Sequence, residues 1–237
     1  MNENERLVGS PTRRALALDL DGVLVDGMPF HVEAWRRALG RLGIRVPDRR
    51  LYELEGLPTP ATAAILANEL NVRFTEVEML QVVQEKREVY AEIFRVVPIP
   101  GSEQFFTLAR QHNYAVAIVT GSTGLSVSRV LRTMGAEDLV DVVVTGEDTP
   151  VGKPAPLPYV TAVEELRVRP SNCLVVENAP AGVRSASLAG LSCLGIATYL
   201  PASALSEATI VLPTVEDAVK WLASEAGSSR GLGPWLL

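Results

Sequence analysis

Apolar and polar positions along this chain follow two different rhythms. Ala15 to Leu20 is a short, nearly continuous apolar run interrupted by Asp19 and followed by Asp21 and Gly22. A strand buried on both faces reads this way, because neither side alternates with solvent. From Phe30 to about Arg95 the spacing becomes helical, with helices expected over His31–Leu42, Ala61–Leu70 and Glu76–Phe94, a break at Pro58 and Pro60, and no strand. After Pro98-Ile99-Pro100-Gly101 the two rhythms alternate. Strands are expected over Ala115–Val119, Val140–Val144, Cys173–Val176, Ser192–Ala197 and Thr209–Leu212. Helices are expected over Ser102–His112, Leu125–Met134, Pro158–Leu166, Ala181–Ala189 and Val215–Ser224. Such alternation predicts an α/β fold, a doubly wound parallel sheet with an inserted α-helical subdomain. The layout expected is a flexible leader over 1–12, a core from 13–29 and 96–225, the helical insert over 30–95 and a tail over 226–237. That tail is either mobile or docked through Trp235 to Leu237.

Composition narrows the class without naming the chemistry. The 237 residues are 47% hydrophobic and 21% charged, ordinary for a soluble globular protein. A formal charge of -6 disfavours nonspecific attraction to nucleic acid or anionic lipid. The polar start MNENERLVGSPTRR lacks the apolar centre of a signal peptide, and no run reaches the ~20 apolar residues of a membrane helix. A cytoplasmic protein, a monomer or weak homodimer, with neither nucleic acid nor membrane as partner, is the expectation. Cys173 and Cys193 lie in apolar runs and read as buried thiols, spaced for neither zinc nor a disulfide framework.

Candidate chemistry begins at LDLDGVLVD, Leu18 to Asp26. Carboxylates at i and i+2 of a strand share a face, so Asp19 and Asp21 repel each other unless a cation sits between them. Magnesium suits such a place, since it takes a few carboxylates together with phosphate oxygens and water. Gly22 permits a tight turn beside a ligand.

This run resembles the first signature of the haloacid dehalogenase superfamily, D-x-D-G-x-x-x-D, and three further elements follow in that family's order. VAIVTGS, Val116 to Ser122, resembles the second signature. Gly152-Lys153-Pro154-Ala155-Pro156 resembles the third, and LVVENAPAGVRSA, Leu174 to Ala186, the fourth. The resemblance implies a Rossmann-like core and a magnesium-dependent phosphatase that forms an aspartyl-phosphate on Asp19. It implies Asp21 as acid and base, protonated while its neighbour is ionised, and Lys153 as the cation facing the phosphoryl group. Thr120, Gly121 and Ser122 are implied to hold that group, and Asp19, Asp21, Glu177 and Asn178 to hold the metal. Asp21 favours phosphate-ester chemistry, because the dehalogenase and phosphonate-cleaving branches lack this second aspartate. Asn178 departs from the pattern: many relatives carry aspartate there, and asparagine brings no charge.

The helical insert matches the cap of one branch, the β-phosphoglucomutases and small-metabolite phosphatases. His31 with Ala34-Trp35 resembles that branch's H-x-x-A-W, and Lys86 resembles a cap lysine that approaches this histidine and the substrate. In LEGLPTP, Gly56 matches a loop glycine of the mutase, but Glu55 replaces a lysine and Thr59 replaces the arginine that grips a distal phosphate. A mutase holds a bisphosphate at both ends, so losing two cations favours a phosphatase of a small phosphorylated metabolite. The rival readings are a β-phosphoglucomutase-like sugar phosphomutase and a catalytically silent binding module.

Overall fold

A computed structural model describes residues 13–227, so the expected leader and all but the first two residues of the expected tail lie outside the described residues. Six strands pair in parallel: β1 (Ala15–Leu18), β2 (Ala115–Val119), β3 (Val142–Val144), β4 (Cys173–Glu177), β5 (Ser192–Ile196) and β6 (Ile210–Leu212). Their order across the sheet is β3-β2-β1-β4-β5-β6. The chain therefore winds outward from β1 in both directions, and the crevice beside β1 is where such sheets bind ligands.

Both faces are covered, which is why the strands read as continuous apolar runs. Period-two alternation sends Leu16, Leu18, Val116, Ile118, Leu174 and Val176 to one side. There they meet residues of α5 (Glu103–Gln111), α6 (Gly124–Met134) and α9 (Val215–Gly227). Ala15, Ala17, Ala115, Ala117 and Val175 face the other way, against α7 (Leu157–Leu166) and α8 (Pro180–Leu188). The small alanines on that face leave room for Tyr159 of α7, whose side chain is fully buried. The first strand ends at Leu18 and the third expected strand begins two residues late, because the chain makes a short 3-10 turn over Glu137–Leu139 before it.

Between β1 and β2 the chain forms the helical cap: α1 (Met28–Gly40), α2 (Asp48–Glu53), α3 (Thr59–Glu69) and α4 (Glu76–Ile93). These helices bury an apolar cluster of their own around Trp35, Leu39, Leu51, Leu66 and Val82. Local signals set several ends. Thr75 and Glu78 form a reciprocal capping box at the start of α4. Pro60 starts α3 rather than breaking the region: Pro58 is its N-cap, and proline in a first turn lacks an N–H that has no partner there anyway. Helix α2 was not expected from the pattern, because its six residues include a single buried apolar one, Leu51. No described helix is long and apolar enough to cross a membrane.

Candidate active site

Strand register builds the centre of the site. Leu18 pairs with Ile118 on one side and with Val176 on the other, so the next row outward contains Asp19, Val119 and Glu177. The Lys153 ammonium, arriving from the loop between β3 and α7, donates to all three: 2.5 Å to Asp19 Oδ1, 2.6 Å to Glu177 Oε1 and 2.9 Å to the Val119 carbonyl. Tyr159 donates to the same Glu177 oxygen at 2.8 Å, and the backbone amides of Asn178 and Ala179 donate to its other oxygen at 2.9 and 3.1 Å. Glu177 is thereby fixed from four directions at full burial. The Lys153 and Tyr159 partners differ in kind. Burial opposes the lysine's charge, but Asp19 and Glu177 outweigh it and hold its pKa above the usual value. Burial also keeps the Tyr159 hydroxyl well above the ordinary tyrosine range, with Glu177 adding to the push.

Asp19 and Asp21 have different partners. The strand ends at Leu18 and the chain turns through Gly22 at φ +87°, while Asp21 stays close enough to push the Asp19 carboxyl upward. Asp19 points to Lys153. Asp21 accepts a 3.0 Å hydrogen bond from the Ser122 hydroxyl at Oδ2 and lies 3.5 Å from His31 Nε2. On the far side of that ring, Lys86 of α4 stands 2.9 Å from His31 Nδ1. An ammonium can donate and not accept, so Nδ1 accepts, and the neutral ring carries its proton on Nε2, facing Asp21. Tyr90, one helical turn beyond Lys86, stacks on the imidazole with ring centres 4.0 Å apart. The cap histidine and lysine are therefore brought to Asp21, 55 residues apart in sequence from each other.

Burial and neighbouring groups shift the two aspartates in opposite directions when no cation is bound. Asp19 is raised from 3.8 to about 8, chiefly by burial, with Lys153 opposing the rise and Glu177 and Asp21 adding to it. Burial also works to raise Asp21, but His31, the Ser122 hydroxyl and Lys86 outweigh it and set its pKa below the ordinary carboxylate value. His31 is lowered by burial and by Lys86, so at neutral pH it helps Asp21 as an N–H donor rather than as a cation. Lys86, desolvated in the cap, falls to about 8.

The loop after β2 supplies the second wall. Thr120 is buried, and its hydroxyl accepts from the Ser122 amide at 3.0 Å. Gly121 lies where this loop meets the cap: a Cβ on it would stand 4.0 Å from the Gly56 carbonyl. The cap loop also rests on the other two core loops. A Cβ on Gly56 would come within 3.2 Å of Ala179 Cβ, and one on Gly152 within 2.7 Å of Pro58. Asn178 packs so closely against Gly22 that a side chain there would collide with its amide at 2.0 Å.

Whether these residues suit a divalent cation turns on their free acceptors. Among the described residues, no three His, Cys, Asp or Glu side chains form a ready-made metal cluster. Magnesium does not demand one, because it keeps waters and binds through one or two carboxylates plus substrate oxygens. Asn178 Oδ1 is a buried oxygen acceptor with no hydrogen-bond partner, next in the chain to Glu177 and near the Asp19 carboxylate that Glu177 acts on. A hard cation is the ligand such oxygens fit.

Two site residues escaped the sequence patterns. Tyr159 follows Lys153 by six positions and looked like an ordinary core aromatic of α7; nothing local marked its hydroxyl as the partner of Glu177. Glu55 was read as an absent cation, yet its carboxylate is buried between cap and core with both oxygens unpartnered. A glutamate beside a glycine in a loop over the catalytic edge was the available signal.

Comparison with known proteins agrees with this geometry. A family model for haloacid dehalogenase-like hydrolases matches residues 13–190. The chain is 32% identical over 203 residues to the validoxylamine A 7'-phosphate phosphatase of Streptomyces hygroscopicus subsp. limoneus, covering 86% of this chain and 94% of that protein. It is 29% identical over 178 residues to a phosphorylated carbohydrates phosphatase of Thermotoga maritima, covering 75% and 82%. Among solved structures, a candidate β-phosphoglucomutase from Bacteroides vulgatus superposes with a TM-score of 0.82 at 29% identity over 95% of each chain. With four signature loops meeting at the carboxyl edge of β1, β2 and β4 under a helical cap, the chain belongs to the haloacid dehalogenase-like hydrolases.

Proposed function

We propose that this hydrolase is a magnesium-dependent phosphatase of a small phosphorylated sugar or polyol, working through an aspartyl-phosphate on Asp19. The observation that carries the reading is the buried Lys153, held against Asp19 in the row beyond Leu18. A fixed ammonium there meets the charge that develops on a transferring phosphoryl group. Asp19 attacks phosphorus through the oxygen not engaged by Lys153, forming the Oδ–P bond as the ester P–O bond breaks. The leaving oxygen takes its proton from Asp21 Oδ1, the carboxylate oxygen that Ser122 and His31 leave free. An arriving phosphate dianion raises the pKa of Asp21 and so charges it with that proton. In the second half, Asp21 removes a proton from water, whose oxygen attacks phosphorus and releases Asp19. Thr120, Gly121 and Ser122 line the phosphoryl position, and His31 with Lys86 holds Asp21 in place from the cap. Magnesium, which Asp19, Glu177 and Asn178 would hold beside Asp21, would supply positive charge against the phosphoryl oxygens when bound.

Hydrolysis is favoured over mutase chemistry because the cap loop contains a buried carboxylate at Glu55 and no arginine or lysine between Leu54 and Pro60. That loop repels rather than grips a second phosphate. The relatives named for phosphorylated carbohydrates support the substrate class. Release of inorganic phosphate from p-nitrophenyl phosphate and a panel of sugar phosphates, with magnesium and after chelation, tests the reading. Turnover that survives exhaustive chelation removes the metal, and glucose 6-phosphate formed from β-glucose 1-phosphate without free phosphate replaces the phosphatase with a mutase.

A further inference from the structure

The cap carries a charge that the site as described does not use. Glu55 is 8% exposed, and neither of its carboxylate oxygens has a hydrogen-bond partner. Desolvating a carboxylate without compensation is among the costlier things a fold can do. The surroundings make it worse: Asp19, Asp21 and Glu177 all act on Glu55 with the same sign. Lys153 offers no relief, since its ammonium is taken by Asp19, Glu177 and the Val119 carbonyl.

The Asn178 amide faces Glu55 and partly offsets its desolvation, without a hydrogen bond of good geometry to either oxygen. Asn178 is 1% exposed, and both of its side-chain atoms lack partners. It is wedged between the Gly22 turn and the cap loop, which lies on Ala179 and Ala181 through Gly56. Of the positions where this chain departs from the resemblance in charge, which include Thr59, two meet here: Glu55 gains an anion in the cap and Asn178 loses one in the core. In the folded protein those departures face each other.

We propose that Glu55 is a cap-borne ligand of the divalent cation, supplying the carboxylate that Asn178 does not, so that cation binding and cap closure become one event. The inference rests on the magnesium reading above and adds a donor to it. Four buried carboxyl groups (Asp19, Asp21, Glu55 and Glu177) outnumber the buried ammonium groups of Lys153 and Lys86, so positive charge is what this site lacks. Hard oxygen donors from both halves of the molecule suit that cation's preference. Linkage is reciprocal: if the closed cap contributes a ligand, the cation favours the closed cap by the same factor by which closure tightens the cation.

The test uses the full chain without substrate, as wild type, Glu55→Gln, Asn178→Asp and the double variant. Mn2+ affinity is read from the paramagnetic resonance of the free ion, and Mg2+ affinity from titration calorimetry. Glu55→Gln keeps the side-chain volume and removes an unpartnered buried charge, so its melting temperature should hold or rise while Mn2+ binding weakens about tenfold or more. Glu55→Asp, which keeps the charge but withdraws it by one methylene, should fall between. Asn178→Asp should tighten binding more in the Glu55→Gln background than in wild type, because each carboxylate then stands in for the other. Saturating Mg2+ should protect the backbone amides of residues 54–57 from hydrogen exchange in wild type and leave them unchanged in Glu55→Gln. Mn2+ affinity within twofold of wild type in a folded Glu55→Gln protein overturns this proposal while leaving the metal reading intact. The same unchanged affinity with a raised KM for a sugar phosphate reassigns Glu55 to a substrate hydroxyl or ammonium. A wild-type protein that binds no Mn2+ overturns the magnesium reading itself.

Discussion

Replacing Lys153 with methionine isolates what the buried ammonium contributes, because methionine keeps the length of the stem and removes the charge. Lys153 is 3% exposed and donates three hydrogen bonds, two of them to carboxylates. Removing one partner of a buried ion pair costs about 3–5 kcal/mol, since the remaining charge stays behind unpaired. Two features of the site set the expected value near the lower end. Asp19 is already pushed up to about 8, so near pH 6 it takes a proton in the folded protein instead of remaining a stranded anion. Glu177 retains the Tyr159 hydroxyl and two backbone amides after the lysine is gone. A loss of about 3 kcal/mol in a domain of this size lowers the melting temperature by roughly 6–12 °C. Differential scanning calorimetry of the metal-free proteins near pH 6 reads this directly. Near pH 8 the gap should widen, because loss of the ammonium pushes the Asp19 carboxyl further up and the folded variant cannot share in its ionisation. Phosphatase activity should fall by a factor on the order of 10² to 10³ or more, as when a donor to a developing oxyanion is removed. A melting temperature within about 2 °C of wild type at both pH values, against the roughly 6–12 °C expected, would refute the reasoning, because it would mean that no carboxylate depends on this ammonium.

Asp19→Asn should abolish turnover with folding intact, and phosphate release near the wild-type rate in the purified variant would remove Asp19 as nucleophile. The same variant tests the direction of the Asp19 shift. A folded pKa raised from 3.8 to about 8 contributes stability that is complete below the unfolded value and is lost as pH rises through about 8. Metal-free Asp19→Asn should therefore show a shallower fall in melting temperature between about pH 4 and pH 8 than wild type; equal slopes would contradict the assignment. Cys173, pushed up to about 12 by burial, and Cys193, raised well above its ordinary value in the same way, should both resist a thiol reagent until the protein unfolds; rapid labelling of native protein would place a thiol at the surface. Finally, Thr59 heads α3 half-buried, so Thr59→Arg should tighten a sugar bisphosphate about tenfold to a hundredfold, the range of a well-placed arginine–phosphate contact. Calorimetric titration showing no gain in the folded variant would mean that position 59 does not face the distal phosphate.

Local pattern was enough for the frame of this protein. Strands such as Ala15–Leu18 and Cys173–Glu177 are buried on both faces, so their apolar runs are continuous and bounded by turn residues, and each carries its polar residue at the end where the next helix begins. Order along the chain then placed Asp19, Thr120, Lys153 and Glu177 at one edge, because parallel strands put all their carboxyl ends together. Side-chain direction at that edge was beyond the pattern. The two-residue period could not say which groups each carboxylate meets: Lys153 takes Asp19, and Ser122 and His31 take Asp21. Helix α2 was missed because six residues with one apolar contact carry no period to detect. Glu55 illustrates the limit most clearly. In sequence it is a polar residue in a cap loop, with the default expectation of solvent. Its burial against Asn178, more than a hundred positions away, exists because the cap packs on the core, and a charge is sensed by distance through space rather than along the chain.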